Sequence, residues 1–374
     1  MLLTALLIGG LLLKSCSIRP RAWTPLQKPD FAGTTELNEK LRSIETISLN
    51  GWYGPEDIVM DSLGNLYCGV HIGQNNFKDG RILKITPDGN VEEFYNAGSW
   101  VAGLHFDHEG NLIALSHKLG LISISPDKKV TILASTDENG KPFLIPNGLD
   151  IAPNGMIYFS NTSEESPYTI EYGRKVVLEM KPLGGLYCYD PKTKQVTTLI
   201  DGTYFGNGVA ISKDESFVLM TETTKYRVVR YWLKGDKAGQ TDIFIDNLPG
   251  FPNGISIRDD GSFWLGFSTK RNDDLDKLHP SPVMKKFVYA LPTFIQPKPE
   301  LFGMIFHLSA AGVILNAYYD TSGKYTPETG AVKEYNGYLY IGGDVVPYIA
   351  KYKLEHNAQV PTAPVRKSSY NLIK

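Results

Sequence analysis

The sequence predicts an all-β protein, a six-bladed β-propeller whose ring is closed by an N-terminal strand completing the last blade. Three observations predict it. First, the stretch "FPNGISIRDDGSFWLG", residues 251–266, is a strand, a glycine turn and a second strand, and it recurs. Copies begin at Gly54, Val101, Ile145 and Phe205, with a weaker one at Glu328. Second, further strand-like segments such as "GRILKITPDGNVEEFYN" bring each unit to four strands, the content of a propeller blade. Third, the last unit has only "GAVKEY", "GYLYIGG" and "YIAKYKL", while "IETISLN" at 44–50 has no blade of its own. Pairing the two seals the ring and removes exposed sheet edges.

From the N-terminus, "LLTALLIGGLLL" is a 12-residue apolar run, followed by Lys14, Arg19 and Arg21. It falls short of the roughly 20 residues that span a bilayer, and no positive charge precedes it. Residues 1–22 are read as a signal or membrane anchor. The protein is then membrane-anchored or exported, facing a periplasmic, lumenal or extracellular space. Residues 40–355 are expected to form the propeller. Two connections, 163–183 in blade three and 270–300 in blade five, are too long for turns and are read as lids. The second holds a helix candidate from Ser281 to Ala290, stopped by Pro292. Val283, Met284, Phe287, Val288 and Leu291 share one face of it, with Lys285 and Lys286 off that face. That face suits a lid, rim packing or contact with a membrane. Tyr168, Tyr172, Phe287 and Phe294 suggest an apolar pocket beneath the lids. The tail 356–374 has no strand period and is expected to be mobile.

Composition excludes some functions. The net charge is -2 and no basic stripe is present, so no nucleic-acid partner is expected. Cys16, Cys68 and Cys188 lack metal-type spacing and read as free thiols. There is no G-x-S-x-G, P-loop or dinucleotide fingerprint.

The repeat locates a site. Eight residues before each bottom-turn glycine, or its equivalent, lie Glu56, Ala102, Asn147, Asn207, Asn253 and Thr329. These begin the innermost strands and ring one mouth of the channel. Glu56, Asn147, Asn207 and Asn253 offer one carboxylate and three amide oxygens, a donor set for a hard cation such as Ca²⁺ rather than zinc. The competing reading of the Asn-Gly pairs is turn chemistry. Seven residues after the same turns lie His71, His117, Thr162, Glu222, Ser268 and Asp344. His117 is the first candidate base for activating water, His71 the second and Asp344 the third. Glu222 is expected to pair with Arg227 or Arg230. Asn161-Thr162-Ser163 forms a glycosylation sequon.

"GLYCYDPKTKQVTTLIDGTYFGNGVAISKDESFVLMTETTKYRVVRYWLKGDKAGQTDIFIDNLPGFPNGISI" resembles the strictosidine synthase-like family, which includes the adipocyte plasma-membrane-associated proteins. "DTSGKYTPETGAVKEYNGYLYIGGDVVPYIAKYKL" resembles its C-terminal blade and "RPRAWTP" its entry segment. The resemblance runs from about residue 18 to 354. The wider clan holds gluconolactonases and paraoxonases. It implies a Ca²⁺ site made by Glu56, Asn147 and Asn207, with Asn253 where the family usually has Asp. The synthase's blade-six glutamate falls at Gly330, with Glu328 two residues away, so true strictosidine synthesis is not expected. The position of one paraoxonase histidine is Ala102, and His117 lies near the other. Two functions follow. One is a metal-dependent hydrolase of small-molecule esters or lactones, of the arylesterase or lactonase kind. The other is a non-catalytic, membrane-anchored propeller that binds a partner or an apolar ligand.

Overall fold

The computed structural model describes residues 14–355, apart from 75, 76, 78 and 293. The apolar run at 2–13 and the tail 356–374 lie outside the described residues. Six sheets radiate around a channel, each paired antiparallel throughout. Their innermost strands are Ile58–Met60, Val101–Phe106, Pro146–Ile151, Gly206–Ile211, Gly250–Ile257 and Ala331–Tyr335. The sixth blade takes its outer strand from the N-terminal side. Ile44–Ser48 pairs with Tyr348–Lys353, Ile44 opposite Tyr352 and Ser48 opposite Tyr348. The expected closure is present.

The bottom turns follow from their sequence. In "DSLGN" the Asp61 carboxylate accepts the backbone N–H groups of Leu63 and Asn65, and Gly64 takes φ +84. In "DHEGN" Asp107 accepts from Glu109 and Asn111, and Gly110 takes φ +81. Aspartate caps the turn and glycine supplies the left-handed residue.

The core is a set of seams between neighbouring blades. Leu219, Val228, Phe263 and Phe306 are buried between blades four and five. Ile58, Cys68, Ala331 and Ile349 close the seam between blades one and six. Middle strands are covered on both sides, so Phe217–Glu222 is buried along its whole length. That is why these strands read as continuous apolar runs.

Inter-blade stitching sits close to the channel. Ser160 donates to the Asn207 carbonyl at 2.5 Å, and Thr221 to the Asn253 carbonyl at 2.7 Å. Asp57 accepts from Leu104 N–H at 3.0 Å, and Asp150 from Ile211 N–H at 2.8 Å.

Both long connections carry helices: α1, Ile170–Glu179, in the first, and α2, Asp273–Leu278, with α3, Pro282–Ala290, in the second. Ser281 caps α3 by accepting the Met284 N–H. Residues before the closing strand form a strap across these helices. Arg21 N–H bonds to the Glu179 carbonyl, Trp23 N–H to the His279 carbonyl, and Arg271 to the Leu26 carbonyl. Among the described residues no helix is long and apolar enough to cross a membrane.

The orientation of α3 differs from packing on the rim. Its face bearing Val283, Met284 and Phe287 is exposed, while Lys285 is wholly buried. The Lys285 ammonium donates to the Arg21 carbonyl at 2.8 Å. The strap supplies the acceptor that lets a lysine point inward. Phe287 and Phe294 are exposed too, so neither lines a pocket.

Candidate metal-binding and hydrolytic site

The start of each innermost strand is where the blades crowd together. Glu56, Asn147, Asn207 and Asn253 all line the channel. All four are nearly fully buried. The glycine after each Asn serves close approach rather than a turn. A Cβ on Gly148 would lie 2.7 Å from the Asn207 carbonyl oxygen, and one on Gly208 would lie 2.5 Å from the Ile255 nitrogen. A Cβ on Gly254 would lie 2.4 Å from the Gly330 carbonyl oxygen. None of the three has positive φ. The Asn-Gly pairs therefore bring neighbouring strands together at the ring.

Residues ending the second strands orient the amides. Asn147 donates its amide N–H to Thr162 Oγ1 at 3.4 Å, and Asn253 donates to Ser268 Oγ at 2.9 Å. The amide oxygens of both side chains are left free of those bonds. Thr162 passes its own proton to the Gly206 carbonyl at 2.7 Å.

Blades one and six add charge. Burial, then the nearby Asp344, Glu328 and Asp57, push the Glu56 carboxyl well above the usual range. Glu328 is raised by burial and by Asp344. Asp344 is raised to about 6 by burial. Glu56 Oε2 and Asp344 Oδ1 are buried without a hydrogen-bond partner. Like-charged carboxyls out of water must share protons or gain a cation. The resemblance set Glu328 aside as lying two residues from the synthase glutamate's position at Gly330, yet it belongs to this cluster. Its side chain packs over Gly343, where a Cβ would lie 2.9 Å from Glu328 Oε2. The counted position, Thr329, spends its hydroxyl on the carbonyls of Phe267 and Met304. The signal for Glu328 was its acid character beside the right repeat position.

These residues fit a hard cation. The donors are carboxylate and amide oxygens, and two carboxylate oxygens, on Glu56 and Asp344, are orphaned. Among the described residues no group of three or more His, Cys, Asp or Glu side chains is arranged to hold a metal by itself. A cation here would therefore depend on the amides. Deeper in the channel Lys333 lies 3.4 Å from Asp57. Burial alone would lower its pKa, but Asp57, then Tyr335 and Asp150, outweigh that and hold it at about 12. This ion pair lines the same channel as the ring.

The two histidines differ. His71 is wholly buried, with Nδ1 2.9 Å from the Gly73 carbonyl and Nε2 3.0 Å from the Asp344 carbonyl. Each ring nitrogen faces a backbone carbonyl, and the neutral ring donates its one N–H to one of them, so the second candidate base is wedged into the framework. His117 has a buried, unpartnered Nε2. Burial lowers its pKa to about 4, against a hydrogen bond to the Pro146 backbone, so the ring is neutral above that pH. His117 stands in an aromatic wall with Trp100 and Tyr168, at centroid distances of 5.1 and 6.4 Å. Burial, then Asp344, Glu56 and Glu328, raise the Tyr168 phenol well above its usual value, so it stays a proton donor. The first connection thus brings one aromatic residue over the carboxyl cluster. Tyr172 instead bonds Ser163 at 2.5 Å and packs on Ile145 and Val176.

Glu222 pairs with Arg227 at 2.5 Å, away from the ring chemistry. Asn161 of the sequon is buried and accepts the Ile145 N–H, so the folded protein does not present it. Cys68 and Cys188 are buried free thiols and Cys16 is an exposed one.

Comparison with known proteins agrees with this architecture. Residues 147–236 match the strictosidine synthase family, and residues 33–85 match "strictosidine synthase-like, N-terminal". The chain is 30% identical over 377 residues to an adipocyte plasma membrane-associated protein of Gallus gallus, spanning 94% of this chain and 87% of the relative. Among solved structures, a gluconolactonase of Xanthomonas campestris has a TM-score of 0.60 at 15% identity, covering 90% of this chain and 98% of that one. A calcium-binding regucalcin of Agrobacterium tumefaciens has a TM-score of 0.56 at 12% identity, covering 83% and 94%. At such identities these structures share the fold.

Proposed function

Since the chain belongs to the strictosidine synthase-like family that includes the adipocyte plasma membrane-associated proteins, we propose that it is a calcium-dependent hydrolase of esters or lactones, working at the channel mouth. The observation that carries this reading is the orphaned Glu56 oxygen in a ring of three asparagines. The gluconolactonase and the calcium-binding regucalcin sharing the fold support it. The apolar run of residues 2–13 would hold the protein to a membrane or route it out of the cell, in line with the name of the avian relative, while Ile18 and Arg21 of the expected 1–22 segment belong to the strap.

Glu56, Asn147, Asn207 and Asn253 would hold the cation, with Asp344 and Glu328 supplying negative charge beside Glu56. When bound, the cation supplies Lewis-acid polarisation of an ester carbonyl. His117, neutral and with a free Nε2, takes a proton from water. Asp344, raised to about 6, is the second candidate for that step. Tyr168, held protonated over the carboxyl cluster, donates a hydrogen bond to the ester, and the proton taken by His117 passes on to the leaving oxygen.

The test uses the full chain in detergent, with Ca²⁺ or with EGTA, read by thermal melting and by hydrolysis of phenyl acetate, beside Glu56→Gln. Calcium at a hundredfold over its dissociation constant should stabilise the protein by about 3 kcal/mol and support turnover, with both effects lost in the variant. A melt shift without turnover on several esters and lactones would leave a structural metal and a binding propeller. No response in either readout would sink the metal site.

A further inference from the structure

Helix α3 and the residues after it turn their apolar side outward. Val283 is 75% exposed, Met284 49% and Phe287 58%, followed by Phe294 at 80% and Ile295 at 56%. This segment is built rather than loose. Gln296 is buried and donates to the carbonyls of Tyr289 and Leu291 at 3.0 and 2.7 Å. On the inner side Tyr289 packs with Ile18 and Leu178. Five large exposed apolar side chains within one short segment go beyond the scattered single ones usual on soluble surfaces.

The chain's course indicates what meets that patch. The described residues begin at Lys14, whose ammonium lies 5.4 Å from the centre of the Tyr289 ring. The apolar run of residues 2–13 therefore joins the fold at the helix that bears the exposed face. As a helix that run would measure about 18 Å, against the roughly 30 Å of a bilayer core. A segment that short gains from a second apolar contact beside it.

We propose that the face made by Val283, Met284, Phe287, Phe294 and Ile295 inserts into the surface of a lipid bilayer, next to the point where the N-terminal segment enters it. Helices α1 and α3 meet through Tyr289 and Glu171, 3.3 Å apart, and α1 follows directly on Tyr168 at the channel mouth. Docking by α3 sets that mouth close to the lipid. If the hydrolase reading holds, apolar esters dissolved in the bilayer are the substrates nearest the site; the docking itself does not depend on that reading.

The test uses the full chain carrying Cys16→Ser and Phe287→Cys, labelled with an NBD fluorophore, since Cys68 and Cys188 are buried. The control carries Lys192→Cys instead, on the bottom turn between Gly184–Asp190 and Gln195–Thr203. Vesicles are phosphatidylcholine with phosphatidylserine, with and without nitroxide-labelled lipid. The expected result is a blue shift at position 287 on vesicles, with at least threefold stronger nitroxide quenching than at 192. Val283→Ser with Phe287→Ser should weaken vesicle binding at least tenfold with the melting temperature kept. An unchanged emission on vesicles that bind the chain would overturn the proposal. So would a blue shift without vesicles: independent of protein concentration it means cover by residues 2–13, and concentration-dependent it means a second copy.

Discussion

His71 and His117 occupy the same place in successive repeats, yet their surroundings give them different chemistry. His71 is held between two backbone carbonyls. His117 keeps a free nitrogen and a pKa near 4. Its lowered pKa makes a claim about stability. Between pH 6.5 and 4 the unfolded chain binds a proton at this residue that the folded chain refuses, so its contribution favours folding at the upper end and is lost as pH falls. Melts of the native chain and of His117→Gln between pH 7 and 4 should show the native chain losing about 2–3 kcal/mol relative to the variant. An equal pH response of the two would mean that His117 titrates normally. The sequence placed Glu56 and the three asparagines at one level because the repeat counts residues along equal strands. It missed Glu328 because Gly330 holds the place of the asparagines in the last blade, as its approach to Gly254 shows, and the carboxyl reaches the cluster from two residues earlier.

Single elements were legible to different depths. The start of α3 could be read from Ser281 and Pro282, and its end from Pro292. Its facing could not, because what buries Lys285 is a carbonyl of the strap, distant in sequence. The Asn-Gly pairs have the spelling of turns but lie inside strands. Their glycines are needed because a neighbouring backbone passes within a Cβ's reach. Gly208 faces the Ile255 nitrogen and the Asn253 carbonyl, at 2.5 and 2.6 Å from a would-be Cβ, whereas Gly337 meets nothing within 4 Å. Gly208→Ala must push two inner strands apart and should cost about 3 kcal/mol. Gly337→Ala pays only for its positive φ, about 1 kcal/mol. Denaturant midpoints of the two variants measure the gap, and equal losses would refute the close-approach account. If the ring holds calcium, Gly208→Ala should also weaken that binding, since it moves Asn253.

At the scale of the whole molecule, the propeller's ring is closed only because distant parts of the chain share a blade. Ile44–Ser48 contributes pairing along Tyr348–Lys353, and Leu49 and Ile47 enter the seam between blades one and six. Removing that strand exposes a sheet edge and unseals the seam, at about 1.5–3 kcal/mol for each large apolar side chain uncovered. That sum is comparable with the net stability of an ordinary domain, about 5–15 kcal/mol. Chains beginning at residue 43 and at residue 50 should therefore differ sharply in melting temperature. The shorter should aggregate or lose cooperative unfolding, since every blade is braced by its neighbours and an open ring can shear at the gap. What closes the ring is pairing, not chain order. Appending residues 43–50 after residue 355 of the shorter chain, through a flexible linker, should restore a single sharp transition near that of the longer one. Failure of this relocated strand, with the chain otherwise soluble, would mean that the covalent link from Ile44–Ser48 into blade one holds the ring, rather than the pairing alone.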